Sequence, residues 1–248
     1  MTNLYDDLRH PGRDLGVPSS ALTIGAHPDD AEFGAGGTLA RWAAMGCRIT
    51  MLVLTDGSKG TWDETTSGED LVAQRQAEQA AAAAMIGAEE VIHLDHEDGE
   101  LKHVPDLDRQ VCEWIRRIRP EVVLGHDPWR RYMLHPDHRA AGMALIDGIV
   151  AARDHLFFPE QGLEKHRPKA VLLWQADEVD HFEDITTTFD TKIEALLCHS
   201  SQAQTTMGDA TESTEARAAF TEQMRMLAAD HGRRAGFDLA EGFKLIEP

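Results

Sequence analysis

Five short apolar runs, separated by stretches of helical spacing, constrain the fold of this chain more than any other feature. The runs occupy residues 22–26, 49–54, 91–94, 122–125 and 170–174. The second run, ITMLVL, contains a single polar residue, which is typical of a strand covered on both faces. The first four runs, with a helical stretch after each of the first three, give the order βαβαβαβ. This order predicts an α/β fold, in which helices cover both faces of a doubly wound, mainly parallel sheet.

The alternation changes after residue 174. Residues 182–186 predict one more strand, and residues 189–197 and 216–227 carry apolar side chains at helical spacing. Two polar connections, residues 158–168 and 199–213, are long enough to form lids or rims of a site, although plain surface loops explain them equally well.

Composition narrows the classes of function. The 248 residues fit a single domain, and 43 acidic against 24 basic residues give a formal charge of −19. Such a charge repels nucleic acid and anionic membranes, so we expect a small-molecule ligand. Three widely spaced cysteines, with no C-x-x-C pair, argue against disulfides and thiolate zinc sites. With no apolar signal core and no membrane-spanning run, we expect a soluble protein of the cytoplasm.

The segment AHPDDAEFGAGG, residues 26–37, follows the first predicted strand directly. His27 therefore lies at the carboxyl edge of the sheet, where open α/β folds bind their ligands. Asp29 and Asp30 are neighbours that must point in different directions, so the two carboxylates can do two different jobs. The simpler alternative is that one acid caps the next helix and His27 bonds a backbone carbonyl.

Two further features of this segment bear on that alternative. Glycines at positions 34, 36 and 37 weaken a helix and are expected where backbone or ligand must approach closely, here to let the helix start lie near the substrate. Glu32 is expected in the first helical turn, as a favourable partner of the helix dipole.

A second cluster, HDPWRRYMLHPDH at residues 126–138, follows the fourth predicted strand. The first and fourth strands of such sheets are commonly neighbours, so the two clusters would face one crevice. His27, Asp30 and His138 then form a plausible set of ligands for a divalent metal. Asp29 would take a proton from a bound water, and His135 would face the substrate. Taken singly, His135 could be a helix cap and His138 a buried structural histidine.

Together these motifs resemble the PIG-L (LmbE-like) family of metal-dependent N-deacetylases. The resemblance implies a Rossmann-like fold and a zinc ion held by His27, Asp30 and His138. It further implies that Asp29 is the general base and that a protonated His135 stabilises the oxyanion. The same resemblance extends through LTDGSKGTW (54–62), RQAEQAAAAAMIGA (75–88), DGEL (98–101) and DITTTFDTKIEALLCHSSQ (184–202).

Two residues are implied to contact the substrate. Arg75 matches an arginine that lines the pocket in relatives, although an exposed ion pair with Glu78 one turn on would explain it equally well. Tyr132 lies near the position of a tyrosine that assists the oxyanion in some relatives. The implied domain spans residues 21–248, after an N-terminal extension of residues 1–20.

The function we expect is zinc-dependent removal of an N-acetyl or similar N-acyl group from an amino-sugar-containing small molecule. Fe²⁺ or another divalent metal would also suit the ligand set. One alternative is an amidase for a larger amide, such as a thiol–sugar conjugate, and another is a non-catalytic metal- or sugar-binding module. We expect no nucleic-acid partner and no membrane span, and self-association is left open.

Overall fold

The structure, a computed structural model, describes residues 12–248. Residues 1–11 of the expected N-terminal extension lie outside the described residues. Within residues 12–248, one sheet contains the strands β1 (Gly12–Arg13), β2 (Ser20–Gly25), β3 (Arg48–Thr55), β4 (Glu90–His96), β5 (Val122–His126), β6 (Ala170–Trp174), β7 (His181–Asp184) and β8 (Ala240–Ile246). The helices are α1 (Asp30–Ala44), α2 (Gly68–Ile86), α3 (Leu107–Ile118), α4 (Pro136–Ala152), α5 (Phe189–Leu197), α6 (Ala203–Thr206) and α7 (Thr214–Ala235). Short 3₁₀ turns lie at Leu101–His103, Pro159–Gln161 and Ser200–Gln202.

The strand order across the sheet is β1-β7-β8-β6-β5-β2-β3-β4. The five strands from β4 to β6 run parallel, and β8 runs antiparallel to both β6 and β7. The mainly parallel α/β fold is therefore confirmed. The predicted first and fourth strands are β2 and β5, which pair directly, with Ala21 opposite Val122 and Ile24 opposite Gly125. Successive strands are added in one direction from β2 and in the opposite direction from β5, so the strand order reverses between these two strands. Ligand sites of such sheets lie at this point of reversal.

Helices cover both faces of the sheet, as predicted. Alternate residues of β2 point to opposite faces, so Leu22 packs with Ile115 of α3 and Leu145 of α4 in one core. Ala21 belongs to the other core, with Trp42 of α1. None of the helices described for residues 12–248 combines the length and apolar character required to cross a membrane.

The strand β8 was not predicted from the sequence. Its segment AEGFKLI contains Glu241, which is only 5 % exposed and pairs with buried Lys192 of α5. Glu241 also accepts from the backbone N–H and hydroxyl of Thr38. A charged residue in a buried strand is satisfied by partners far away in the chain, so it breaks the apolar pattern that local analysis relies on.

The glycines of the first motif serve packing within the protein, and the expectation that they bring the helix close to the substrate is wrong. A Cβ on Gly34 would lie 2.4 Å from the Trp174 ring, and one on Gly37 would lie 2.7 Å from Ile185. A Cβ on Gly36 would lie 3.2 Å from the Lys192 side chain. The α1 helix therefore approaches β6 and the start of α5 more closely than any larger residue would permit.

Candidate active site

The two polar clusters meet at the carboxyl edge of the sheet, where the loops after β2 and β5 begin. The His27 ring centroid lies 4.6 Å from that of His135 and 5.2 Å from that of His138. The rings of His135 and His138 are stacked, with their centroids 4.6 Å apart. The shared crevice expected from the strand order is therefore present in the structure.

Asp30 is buried at the centre of this cluster. Its Oδ2 accepts a 2.7 Å hydrogen bond from the His27 backbone N–H and lies 3.0 Å from His126 Nε2. Its Oδ1 lies 3.3 Å from His138 Nε2. Burial alone would raise the pKa of Asp30, but His138 and His126 hold it well below its usual range. Asp30 is therefore a carboxylate whose Oδ1 faces His138 and the cavity.

His126 is the first residue of the second cluster, and the sequence alone assigned it no role. The indole N–H of Trp174 donates to His126 Nδ1 at 3.0 Å. Because an indole only donates, the neutral imidazole must carry its proton on Nε2, beside Asp30. His126 thus has no lone pair free for a metal. His126 contacts Asp30 and, through its hydrogen bond with Trp174, connects Asp30 to β6.

His27 is oriented by two buried carboxylates that sequence reasoning also missed. Its Nε2 lies 3.1 Å from Asp98 Oδ1 and 3.4 Å from Asp137 Oδ2. Burial opposes a charge on this ring, but hydrogen bonds to Asp137, Asp30 and Asp98 hold the pKa of His27 well above its ordinary value. A proton on Nε2 leaves Nδ1 for the side that holds Asp30, 3.5 Å away. Both carboxylates stand in motifs of the resemblance, DGEL and HPDH, which were the available signal.

The residues present fit a divalent metal. Among the described residues, three overlapping groups bring their potential ligand atoms within 4.8 Å of one another: His27, His135 and His138; Asp30, His126 and His138; and His27, Asp98 and Asp137. The predicted ligands His27, Asp30 and His138 are divided between the first two groups, which share His138. Buried His138 Nδ1 has no hydrogen-bond partner in the described part of the chain. Two imidazoles and one carboxylate suit a borderline divalent ion with open positions.

The backbone of Asp29 is strained at the start of α1. Asp29 has φ 101° and ψ −24°, a left-handed conformation that costs a non-glycine residue about 1–3 kcal/mol. It occupies the N-cap position of α1 without a side-chain capping bond, so the simple capping alternative does not describe it. Burial raises the pKa of Asp29 to about 7, against the opposing charge of Arg75, whose Nη2 lies 3.5 Å from Asp29 Oδ2.

Arg75 lines the cavity and is almost completely buried. It donates to the backbone carbonyls of Pro28 at 2.6 Å and Gly57 at 3.1 Å. The expected alternative, an exposed pair with Glu78, is contradicted because Glu78 instead accepts hydrogen bonds from Ser200 and Ser201.

His135 caps α4 and still faces the cavity. Its Nδ1 accepts from the Asp137 backbone N–H at 3.3 Å, which places the proton of the neutral ring on Nε2. Burial, together with His27 and His138, lowers its pKa. The capping role and a role toward substrate are therefore compatible. The surroundings favour a neutral donor over the protonated ring implied by the resemblance.

Tyr132 is not brought into the cavity. It is 92 % exposed, has φ 60°, and is absent from the cavity lining. The cavity measures about 640 Å³, and Trp62, Gln202 and Thr205 stand on its walls. The connection 199–213 therefore forms part of the rim, whereas the connection 158–168 does not line it.

Glu32 lies in the first turn of α1, as expected, but it is fully buried. Burial raises its pKa to about 8. The expected position is therefore confirmed, and the role of Glu32 as a partner of the helix dipole stays a prediction. Its Oε1 accepts from Gln79 Nε2 at 2.7 Å.

Comparisons with known proteins show what this chain is similar to. A sequence model described as PIG-L: GlcNAc-PI de-N-acetylase matches residues 22–149. The diacetylchitobiose deacetylase of Thermococcus kodakarensis is 32 % identical over 249 residues, which cover 99 % of this chain and 89 % of that protein. The 4-oxalmesaconate hydratase of Pseudomonas putida is 29 % identical and is matched over 77 % of each chain.

Solved structures give the same result. The inhibitor complex of N,N'-diacetylchitobiose deacetylase from Pyrococcus horikoshii superposes with a TM-score of 0.84 and 28 % sequence identity. The match covers 94 % of this chain and 87 % of that one. With a family match across half of its length and a relative aligned along nearly all of it, the chain belongs to the PIG-L family.

Proposed function

We propose that this chain is a metal-dependent N-deacetylase that hydrolyses the N-acetyl, or a similar N-acyl, amide of an amino-sugar-containing small molecule. One observation carries the proposal. The metal-donor set of His27, Asp30 and His138 shares its cavity with a further buried carboxylate, Asp29, whose pKa is raised to about 7. A site that only binds a metal has no need of this second carboxylate.

We assign His27, Asp30 and His138 as the metal ligands and zinc as the metal, although the same donors suit Fe²⁺. When bound, zinc would act as a Lewis acid and would lower the pKa of a coordinated water far below its value in bulk, to about 7. Asp98 and Asp137 contact His27, and His126 contacts Asp30. The ring of His138 stacks on that of His126, with the centroids 4.2 Å apart.

Asp29 is the general base in this proposal. Its raised pKa lets the carboxylate accept a proton from the attacking water near neutral pH and then deliver it to the departing nitrogen. Arg75 limits the rise of this pKa through its charge. His135 offers its Nε2–H to the oxygen that gains negative charge as the amide carbon becomes tetrahedral.

The cavity walls suit a neutral, polar ligand. The side chains of Gln175, Gln202, Thr205 and Thr206 supply amide and hydroxyl groups, and Trp62 supplies an exposed ring. Such a mixture matches the hydroxyl-rich edges and apolar faces of a sugar. The similarity to the diacetylchitobiose deacetylases of Thermococcus kodakarensis and Pyrococcus horikoshii supports an amino-sugar substrate. Three free cysteines support a reducing, cytoplasmic site of action.

A substrate panel tests this proposal. Acetate release is measured with N-acetylglucosamine, diacetylchitobiose and an N-acetylglucosaminyl-inositol, beside matched amides with longer acyl groups. We expect the acetylated sugars to be hydrolysed. Release of only the longer acyl groups would instead identify the larger amidase. Hydration of 4-oxalmesaconate without acetate release would instead favour the activity named for the hydratase relative.

A further inference from the structure

Gln79 of α2 connects two residues of the first motif without reaching the cavity. It is 1 % exposed, and its Oε1 accepts from the Asp29 backbone N–H at 3.0 Å. Its Nε2 donates to Glu32 Oε1 at 2.7 Å. The orientation of the amide follows from the chemistry, because a backbone N–H donates and therefore must face the carbonyl end of the side chain.

This contact acts on the strained residue of the site. Asp29 is held at φ 101°, and its side chain makes no capping bond that would support the turn. An N-cap residue ordinarily adopts extended backbone, which here would redirect the carboxylate. The hydrogen bond from Asp29 N to Gln79 therefore opposes relaxation of the turn toward that ordinary conformation.

A residue one turn earlier in α2 contacts Pro28, the residue before Asp29. Arg75, four residues before Gln79, donates to the Pro28 carbonyl at 2.6 Å. The two side chains of α2 thus hold the two ends of the Pro28–Asp29 peptide. Arg75 lines the cavity and Gln79 does not, so only Gln79 is free of any contact with substrate.

We propose that Gln79, braced by Glu32, is a positioning residue that holds the Asp29 carboxylate in its working orientation. The inference rests on the proposed function, since it assigns Asp29 the role of base. It predicts an effect on turnover, because Gln79 acts on the base, and none on substrate affinity.

The first test compares two identical substitutions on α2. Gln79→Met keeps side-chain volume but removes both hydrogen bonds, and Gln76→Met removes a solvent-side bond to Asp95 on the same helix. We expect Gln79→Met to lower kcat about 10-fold or more at unchanged KM and unchanged metal content, because misplaced catalytic groups lose rate steeply. Gln76→Met should match the wild type. A wild-type kcat per bound metal in Gln79→Met would overturn the proposal.

A double-mutant cycle then separates positioning from general damage. If Gln79 acts through Asp29, adding Gln79→Met to Asp29→Ala should lower the residual rate less than about 2-fold. An equal loss in both backgrounds would contradict the proposal. Glu32→Gln, which keeps an oxygen acceptor for Gln79, should retain kcat, and Glu32→Leu should reduce it. This pair tests the same brace if Gln79→Met does not fold.

Hydrogen exchange provides a measurement that needs no substrate. The Asp29 amide should exchange faster in Gln79→Met than in the wild type, while amides in the centre of α1 keep their protection. An unchanged exchange rate at Asp29 would overturn the positioning role. If the wild-type protein releases no acetate, the proposed function fails, and the exchange measurement still decides whether Gln79 holds the turn.

Discussion

At the scale of single residues, the pKa values of two adjacent carboxyl groups are shifted in opposite directions. Burial raises the pKa of Asp29 to about 7, whereas His138 and His126 overcome the effect of burial and hold the pKa of Asp30 well below its usual range. Their neighbours differ, because Asp30 lies against the rings of His126 and His138, whereas the charge of Arg75 beside Asp29 offsets only part of the effect of burial. One carboxylate is thereby available to a metal and the other to a proton.

Removing the base should leave the metal in place. Asp29→Ala is expected to keep full metal occupancy and to lose at least about 100-fold in turnover, the scale of a positioned general base. The measurements are elemental analysis and steady-state kinetics. Asp190→Ala, at an exposed position of α5, is the matched control and should change neither value. Near-native turnover in Asp29→Ala would remove Asp29 from the mechanism.

Removing a metal ligand should, in contrast, lower the amount of bound metal. His138→Ala is expected to lose most of its bound metal, since one of only three donors disappears. His155→Ala, an exposed histidine, should retain it. Elemental analysis of both purified variants is the measurement, and full occupancy in His138→Ala would exclude that residue as a ligand.

A buried histidine should make stability depend on pH. Burial lowers the pKa of His199 to about 4, below its value of about 6.5 in the unfolded chain. The unfolded state therefore binds more protons between these values, and the free energy of unfolding falls as pH drops from about 6.5 to 4. The slope from this group reaches at most about 1.4 kcal/mol per pH unit.

Denaturant unfolding across this pH range tests the assignment. His199→Gln should show a shallower loss of stability than the wild type, while His103→Gln, at an exposed position, should follow the wild-type curve. Parallel curves for wild type and His199→Gln would show that His199 does not contribute.

The sequence predicted the residues that meet in the cavity but not those that hold them. His27, Asp30 and His138 could be grouped because each stands in a short motif at the end of a strand. His126 and Asp98 act through contacts with Trp174, Asp30 and His27, across long separations in the chain. Such contacts depend on how strands and loops are placed in space, and no local spacing reveals them.

At the scale of elements, the first turns of α1 pack closely against β6. Gly34 leaves room for the Trp174 ring, and Trp174 in turn fixes the tautomer of His126. Packing between a helix and a strand is thus connected to the orientation of Asp30. The sequence alone predicts room for substrate at this point, because a glycine pattern does not indicate which group will approach.

Substitution of this glycine should destabilise the protein. Gly34→Ala gains up to about 1 kcal/mol of helix propensity but forces a Cβ to within 2.4 Å of Trp174. Overpacking of this kind costs about 1–3 kcal/mol, so we expect a net loss in the free energy of unfolding. Gly68→Ala, at the first position of α2 with only ordinary contacts, is the control and should be neutral or stabilising. Denaturant unfolding measures both, and equal stability of the two variants would contradict the packing role.

At the scale of the whole molecule, the site lies where the strand order reverses between β2 and β5. That location could be predicted, because alternating strands and helices leave few topologies for a parallel sheet. The antiparallel addition of β8 could not, since its buried Glu241 is satisfied only by residues of α1 and α5. Local sequence patterns were therefore sufficient to predict the α/β fold and its crevice. The strand β8 could not be predicted, because its buried charge is paired with residues far away in the chain.

Metal-dependent hydrolysis is tested most directly by acetate release from an N-acetylated amino sugar, measured on one preparation before chelation, after chelation and after zinc is restored. In the wild type we expect the activity to disappear with the metal and to return with it. Asp29→Ala should remain at least about 100-fold less active even when fully loaded with zinc. Acetate release that persists at the wild-type rate in metal-free protein would contradict the central claim.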